Sequence, residues 1–237
     1  ETIGYDNMEY GCIGEKLTHS FSKEIHAKLF DYKYELKEIP RGDLDKFMRE
    51  HNFKAINVTI PYKQDVIPHL DFISDTAKDI GAVNTIVNRD GKLYGYNTDF
   101  SGLSALIKRL GADITDKNVY ILGSGGTSKT AVAVANSMGA KSVTRVSRTA
   151  KDGCITYEQA YGENVEFIIN TTPCGMYPNI GEAPIDATRF KNLCGVVDAV
   201  YNPLDSQLIC AAKAMGIPAS GGLYMLVAQA AYAAERF

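Results

Sequence analysis

An α/β fold in two domains is predicted by three features of this sequence. Apolar strand-like and helix-like segments alternate along the chain, which favours a largely parallel sheet. The second half changes rhythm into short buried strands, each followed by loop and helix. A glycine-rich turn, GSGGTSK over 123–129, joins the first of those strands to a helix of small residues. The 237 residues suffice for one large core or two modest ones.

In chain order, MEYGCIG (8–14) reads as the first strand and SFSKEIHAKLFDYK (20–33) as a helix capped by Ser20 or Ser22. YELKEIP (34–40) follows as a strand, DLDKFMREHN (43–52) as a helix capped by Asp43, and KAINVTIP (54–61) as another strand. A helical stretch is expected over 64–80. It leads into GAVNTIVNRDGKLYGYNTD (81–99), where Asp90-Gly91 between two apolar runs predicts a β-hairpin. The helix FSGLSALIKRLG (100–111) marks a boundary near residue 100. Beyond it, NVYILG, SVTRVSR, EFIINTT and GVVDAVY are strands, and TAVAVANSMG is a helix ended by Gly139. Residues 1–100 form one expected domain and 101–221 a nucleotide-binding one, with a cleft between them.

Composition excludes several functions. Hydrophobic residues make up 45% and charged residues 22%, and the formal charge of −3 comes without a long basic or acidic block. An electrostatic footprint for nucleic acid or anionic membrane is therefore absent. No run approaches the ~18 apolar residues of a membrane span. The opening ETIGYDNMEYGCIG lacks the basic and apolar regions of a signal peptide, and Met8 is a possible natural start. Cys12, Cys154, Cys174, Cys194 and Cys210 are odd in number and widely spaced, which suits reduced thiols in the cytoplasm and no metal site. His19, His26, His51 and His69 are scattered and receive no catalytic role.

In LGSGGTS (122–128), glycines let the backbone turn tightly toward a pyrophosphate, whose charge the helix N-terminus favours. Ser128 stands where a third glycine or alanine is usual, and its small size still allows close packing. After the second strand comes VSRTAK (146–151), with no carboxylate until Asp152. An acid there would select NAD. Arg148 and Lys151 instead offer positive charge to the 2′-phosphate of NADP.

In the first half, polar residues collect at element ends. Ser20 and Ser22 sit two apart at a helix start, suited to capping or to holding a carboxylate. Asn57 and Thr59 share one face of a strand, leaving Val58 and Ile60 to bury the other. Pro61 ends that strand, so Lys63 emerges just past it, where catalytic groups in α/β sheets are often found. Asn84 and Asp99 close the GAVN and GYNTD segments. Each residue alone is compatible with a cap, a turn or a solvated charge.

Taken together, the motifs HSFS, NVTIPYK, GAVNT, GYNTD, LGSGGTSK, INTTPCGM, VVDAVYNP and GGLYMLVAQA resemble, in order and spacing, those of the shikimate dehydrogenase family. The resemblance runs almost end to end. It implies reversible reduction of 3-dehydroshikimate to shikimate with NADPH, a step of aromatic amino-acid biosynthesis. By motif matching it implies that Ser20, Ser22, Thr59, Asn84 and Gln229 hold the substrate, with Tyr201 and Asn57 as further contacts. Lys63 and Asp99 become the catalytic pair, Lys63 donating to the developing alkoxide and Asp99 orienting both partners.

The same resemblance assigns NADP to Gly123, Ser124, Gly125, Gly126 and Thr127, with Ser147, Arg148 and Thr149. It puts Ala199 and Gly222 near the nicotinamide and returns a C-terminal helix, about 222–237, to the first domain. Two departures from the family pattern stand out: Lys23 replaces a usual proline, and Ser147 a usual asparagine. Neither removes a group the reaction needs. The rival readings are a quinate/shikimate dehydrogenase preferring NAD and a catalytically idle dinucleotide sensor. The expected partner is a small molecule, with the chain a monomer or homodimer.

Overall fold

A computed structural model describes residues 7–17 and 20–237. The chain divides into two compact units, Glu1–Thr98 with Gln229–Phe237, and Asp99–Ala228. The divisions fall inside two helices, where the sequence suggested breaks near residues 100 and 222.

The first unit is built on a mixed sheet. Its strands are β1 (Tyr10–Gly14), β2 (Tyr34–Glu38), β3 (Ala55–Val58), β4 (Phe72–Ile73), β5 (Thr85–Arg89) and β6 (Lys92–Tyr96), in the spatial order β2-β1-β3-β5-β6-β4. β1 pairs in parallel with β2 and β3, whereas β5 runs antiparallel to both β3 and β6. The β5–β6 hairpin turns on Asp90 and Gly91, both at positive φ (53° and 82°), as a two-residue primed turn requires. Helices α1 (Ser22–Leu29), α2 (Leu44–Glu50) and α3 (Asp75–Ile80) complete the unit. Its core gathers Ile13, Phe47, Ile56, Val58, Tyr62 and Ile86.

Three expectations in this half need correction. The single helix over 64–80 is a short 3₁₀ turn at Ile67–His69, then β4, then α3. Pro68 cannot continue a helical ladder, the Asp71 amide and carboxylate instead bond the backbone of Leu93, and Ser74 caps α3 through the Ala77 N–H. The third strand stops at Val58, so Ile60 is 74% exposed rather than packed beside Val58, which is 2% exposed. Neither serine occupies the N-cap of α1: Phe21 does, with no side-chain cap hydrogen bond.

The second unit carries β7 (Asn118–Leu122), β8 (Ser142–Ser147), β9 (Ile155–Thr156), β10 (Phe167–Asn170), β11 (Gly195–Asp198) and β12 (Ala219–Ser220). The order β12-β11-β10-β7-β8-β9 is parallel at every pairing, and the winding reverses between β7 and β10. In doubly wound sheets that reversal is where ligands bind, outside the carboxyl ends of the strands. Helices α4 (Thr98–Leu110), α5 (Gly126–Ser137), α6 (Tyr157–Ala160), α7 (Gln207–Ala214) and α8 (Leu223–Ala234) flank the strands or lead in and out of the unit. One core joins α4 and α5 to the sheet through Leu103, Ile107, Ile121, Val134, Phe167 and Val197. Among the described residues no helix is long and apolar enough to cross a membrane.

Candidate active site

The lysine of NVTIPYK is carried on a turn whose backbone is fixed on both sides. Past the end of β3, the Thr59 N–H bonds the Ile13 carbonyl at 2.9 Å, and the Tyr62 N–H closes back on the Thr59 carbonyl at 3.0 Å. Between them the Ile60–Pro61 bond is cis. Tyr62 is 1% exposed, and its hydroxyl donates to the Ile39 carbonyl at 2.5 Å. On the far side, the Lys63 carbonyl accepts the Val83 N–H at 2.8 Å. Lys63 itself is half-buried. Its backbone is thus held by a buried aromatic anchor before it and by the GAVN segment beside it. The anchoring role of Tyr62 was not read from the sequence, because an aromatic after a proline is as easily an ordinary core residue.

Asn84 lies at the entry to β5 and is 3% exposed. Its carbonyl accepts the Val58 N–H at 2.8 Å, tying it to the end of β3. Its side-chain Oδ1 accepts the Thr98 N–H at 2.7 Å, and its Nδ2 donates to Thr98 Oγ1 at 3.0 Å. Helix first-turn N–H groups have no intrahelical partner. Asn84 therefore supplies from a distant segment the cap that the start of α4 needs, one residue before Asp99. Asn57, Thr59, Lys63 and Asn84 are brought together in this way around the end of β3.

Asn57 is buried with its amide engaged by protein groups. Ser20 and Ser22 meet only at the entry to α1, where the Ser22 N–H reaches Ser20 Oγ at 3.4 Å. His19, which opens the HSFS motif, lies outside the described residues. Gln229 is buried on the part of α8 that belongs to the first unit.

In the second unit the glycine-rich turn leaves β7 through Gly123, whose φ is +118°. A Cβ there would stand 2.6 Å from Thr171 Oγ1, whose hydroxyl is held by the Leu122 carbonyl at 2.6 Å, so only glycine fits. Gly125 occupies the N-cap of α5, and a Cβ built on Gly125 or Gly126 would meet nothing within 4 Å. Ser124 and Gly125 are exposed and Thr127 half-buried, so the turn borders solvent at the helix start. Ser128 is fully buried, its hydroxyl turned back onto the Gly125 carbonyl at 2.9 Å, which accommodates the missing third glycine. At the end of β8, the Ser147 hydroxyl accepts the Thr149 N–H at 3.2 Å and donates to the Thr149 carbonyl at 2.7 Å. This tight loop leaves Arg148 exposed. A glycine-lined helix start with a guanidinium at the end of the next strand fits a phosphorylated dinucleotide.

The ends of β10 and β11 hold a buried polar cluster that sequence reasoning missed. Asp198 and Asn170 are both fully buried. The Asp198 carboxylate accepts from Asn170 Nδ2 at 2.9 Å, the Val200 N–H at 2.9 Å and Ser206 Oγ at 2.6 Å. Burial pushes its pKa up, against those three donors, which favour the ionised form. The cluster shapes the loop bearing Ala199 and Tyr201. The Gly222 N–H bonds the Val200 carbonyl at 2.9 Å, and a Cβ at Gly222 would lie 2.3 Å from the Ala199 carbonyl oxygen. Polar residues at two adjacent strand ends were the available signal. Burial also pushes up the Tyr201 phenol. Among the described residues no group of His, Cys, Asp and Glu could hold a metal ion.

Comparison with known proteins supports both halves of this picture. Residues 12–86 match the model described as "Shikimate dehydrogenase substrate binding domain". The shikimate dehydrogenase (NADP(+)) of Clostridium beijerinckii is 40% identical over 243 residues, covering 95% of this chain and 90% of that protein. The chain belongs to the shikimate dehydrogenase family. A second such relative, from Clostridium perfringens, is 41% identical over 246 residues, with 95% and 90% of the two chains covered. Among solved structures, shikimate dehydrogenase 1 of Peptoclostridium difficile superposes with a TM-score of 0.86 at 36% identity, covering 97% of this chain and 91% of that one. The shikimate 5-dehydrogenase of Thermus thermophilus, solved in complex with NADP(H) and shikimate, has a TM-score of 0.86 at 28% identity, covering 97% and 92%. The two solved structures share the fold of both units described above.

Proposed function

We propose that this shikimate dehydrogenase family member catalyses the reversible NADPH-dependent reduction of 3-dehydroshikimate to shikimate. The observation that carries the reading is similarity at 40% identity over 95% of the chain to a protein named for that activity. The retained Lys63 and Asp99 favour an enzyme over an idle sensor. Exposed Arg148, with no carboxylate at the end of β8, favours NADP over NAD.

In this reading the first unit is the substrate domain, with Ser20, Ser22, Thr59, Asn84 and Gln229 holding the polyhydroxylated acid. Hydroxyls at the start of α1 suit the carboxylate, and the Asn84 amide suits a ring hydroxyl. The N–H groups of 123–127 would take the pyrophosphate and Ser147, Arg148 and Thr149 the 2′-phosphorylated ribose. Ala199 and Gly222, whose backbones pack closely, would lie near the nicotinamide. When bound, NADPH supplies the hydride.

The chain's own residues manage the proton. As the ketone carbon is reduced, negative charge grows on its oxygen, and the Lys63 ammonium donates a proton to it. The Asp99 carboxylate accepts a hydrogen bond from the substrate and keeps the reacting oxygen oriented. In the reverse direction Lys63, neutral, takes that proton back. The fixed backbone of the Lys63 turn is what makes such positioning reproducible.

The proposed compartment is the cytoplasm, consistent with five free cysteines. The proposed assembly is a monomer or homodimer. The reading is tested by mixing the purified chain with 3-dehydroshikimate and NADPH: cofactor consumption with formation of shikimate supports it, and no consumption refutes it.

A further inference from the structure

Asn57 sits beside the residues proposed to bind substrate, yet its amide has little left to offer a ligand. Its Oδ1 accepts the Tyr34 hydroxyl at 2.6 Å. Its Nδ2 donates to the Asn84 carbonyl at 3.3 Å and to Thr85 Oγ1 at 3.1 Å. A primary amide has two N–H groups, so both are committed. Tyr34 reaches Asn57 from β2, across β1, and its ring lies 3.8 Å from that of buried His26 at an interplanar angle of 11°. Tyr34 and Thr85 are themselves 3% and 0% exposed.

The bonds continue in one direction. Thr85 Oγ1 accepts from Asn57 and donates to Asn84 Oδ1 at 3.1 Å. Asn84 Oδ1 also accepts the Thr98 N–H, while Asn84 Nδ2 donates to Thr98 Oγ1. The Thr98 backbone N–H, which can only donate, demands that Oδ1, not Nδ2, face it, and the Thr85 hydroxyl donates to the same oxygen. A flipped Asn84 would place N–H against N–H. The network therefore fixes one orientation of the Asn84 amide, leaving one Nδ2 hydrogen outside these bonds, and it fixes the first turn of α4 that carries Asp99.

We infer that Tyr34, Asn57 and Thr85 are positioning residues, which hold the Asn84 amide and the start of α4 in the arrangement that the substrate requires. Asn57 acts through Asn84 rather than by touching substrate. The inference rests on the shikimate dehydrogenase reading, adds Tyr34 and Thr85 to it and changes the role of Asn57. It explains why a polar chain starting at Tyr34 on β2 is buried in full beneath the site, where apolar side chains would otherwise pack.

The test compares Thr85→Val, which keeps shape but removes the hydroxyl, with Thr85→Ser, which restores it. Tyr34→Phe keeps the ring and its stacking, so it gives a folded variant if Thr85→Val does not fold. With NADP saturating, kcat/KM for shikimate is expected to fall roughly tenfold in Thr85→Val and about threefold or more in Tyr34→Phe. The KM for NADP should stay within about twofold in both, and Thr85→Ser should recover to within about twofold of wild type. Tyr34→Phe should add nothing further to Asn57→Ala, since both cut the same chain. Folded variants with unaltered shikimate kinetics, parallel rises in both KM values, or no rescue by serine would overturn the inference alone. A wild-type chain that does not turn over shikimate would overturn the functional reading and this inference with it.

Discussion

Asn84 Oδ1 accepts the backbone N–H of Thr98 at 2.7 Å, so a side chain at the entry to β5 caps the helix on which Asp99 is the second residue. This bond links two of the family's motifs, GAVNT and GYNTD, through a single hydrogen. The Lys63 carbonyl bonds the Val83 N–H next door, so the same short segment also borders the lysine turn. Asn84 is thereby a structural centre for the proposed chemistry as well as a proposed ligand.

Removing the proton donor or the orienting carboxylate should cripple turnover without loosening the fold. Lys63→Ala and Asp99→Ala are expected to lower kcat by ~10²–10⁴-fold at saturating substrate. Far-ultraviolet circular dichroism and the unfolding midpoint check that the fold is kept. Losses below about tenfold would remove the two from the catalytic role.

Arg148 is expected to act on one cofactor only. Arg148→Ala should raise the KM for NADPH at least about tenfold and leave that for NADH nearly unchanged, because only NADPH carries the 2′-phosphate that a guanidinium binds with charge-assisted bonds. Initial-rate kinetics with both cofactors measure the ratio directly. Equal effects would show that Arg148 does not read the phosphate.

The Asp198 cluster should matter for stability and for the cofactor together. Asp198→Ala leaves the Asn170 amide, the Ser206 hydroxyl and the Val200 N–H without their shared acceptor. Buried unsatisfied donors cost ~1–3 kcal/mol each before relaxation, so a loss of a few kcal/mol in urea unfolding is expected. Because Val200 also accepts from Gly222, the KM for NADP should rise in the variant that still folds.

Acid should destabilise the first unit through His26. Its ring is fully buried between Tyr34 and the other aromatics, Nδ1 lies 2.7 Å from the Tyr32 hydroxyl, and burial lowers its pKa from 6.5 to about 4. The unfolded chain therefore binds a proton that the folded chain refuses between those two values. Stability from this group is fully present above pH 6.5 and is lost as pH falls toward 4, by at most roughly 3 kcal/mol. Urea unfolding of wild type and His26→Phe between neutral and acid pH should show a shallower acid loss in the variant. Equal slopes would assign the loss to other groups.

Much of this was legible in the sequence, and the parts that were not share a cause. The hairpin at Asp90-Gly91 and the turn at Gly123 could be read because local φ demands restrict the residue choice. Helix 64–80 failed because its apolar content suggested continuity, while Pro68 and the capping Ser74 broke it into three pieces. The exposure of Ile60 depended on where β3 stops, beyond which the chain turns as the Tyr62 N–H closes on the Thr59 carbonyl. The Tyr34–Asn57 and Asn170–Asp198 bonds join residues 23 and 28 positions apart, and no local pattern announces them. Site residues were named through motif resemblance; the buried groups that orient them required coordinates.

The most direct measurement is the specificity constant of the purified chain for shikimate and quinate, each with NADP and with NAD, in one series. Shikimate with NADP should exceed every other pairing by at least about tenfold. Preference for quinate or for NAD, or the absence of turnover in all four pairings, would contradict the proposed function.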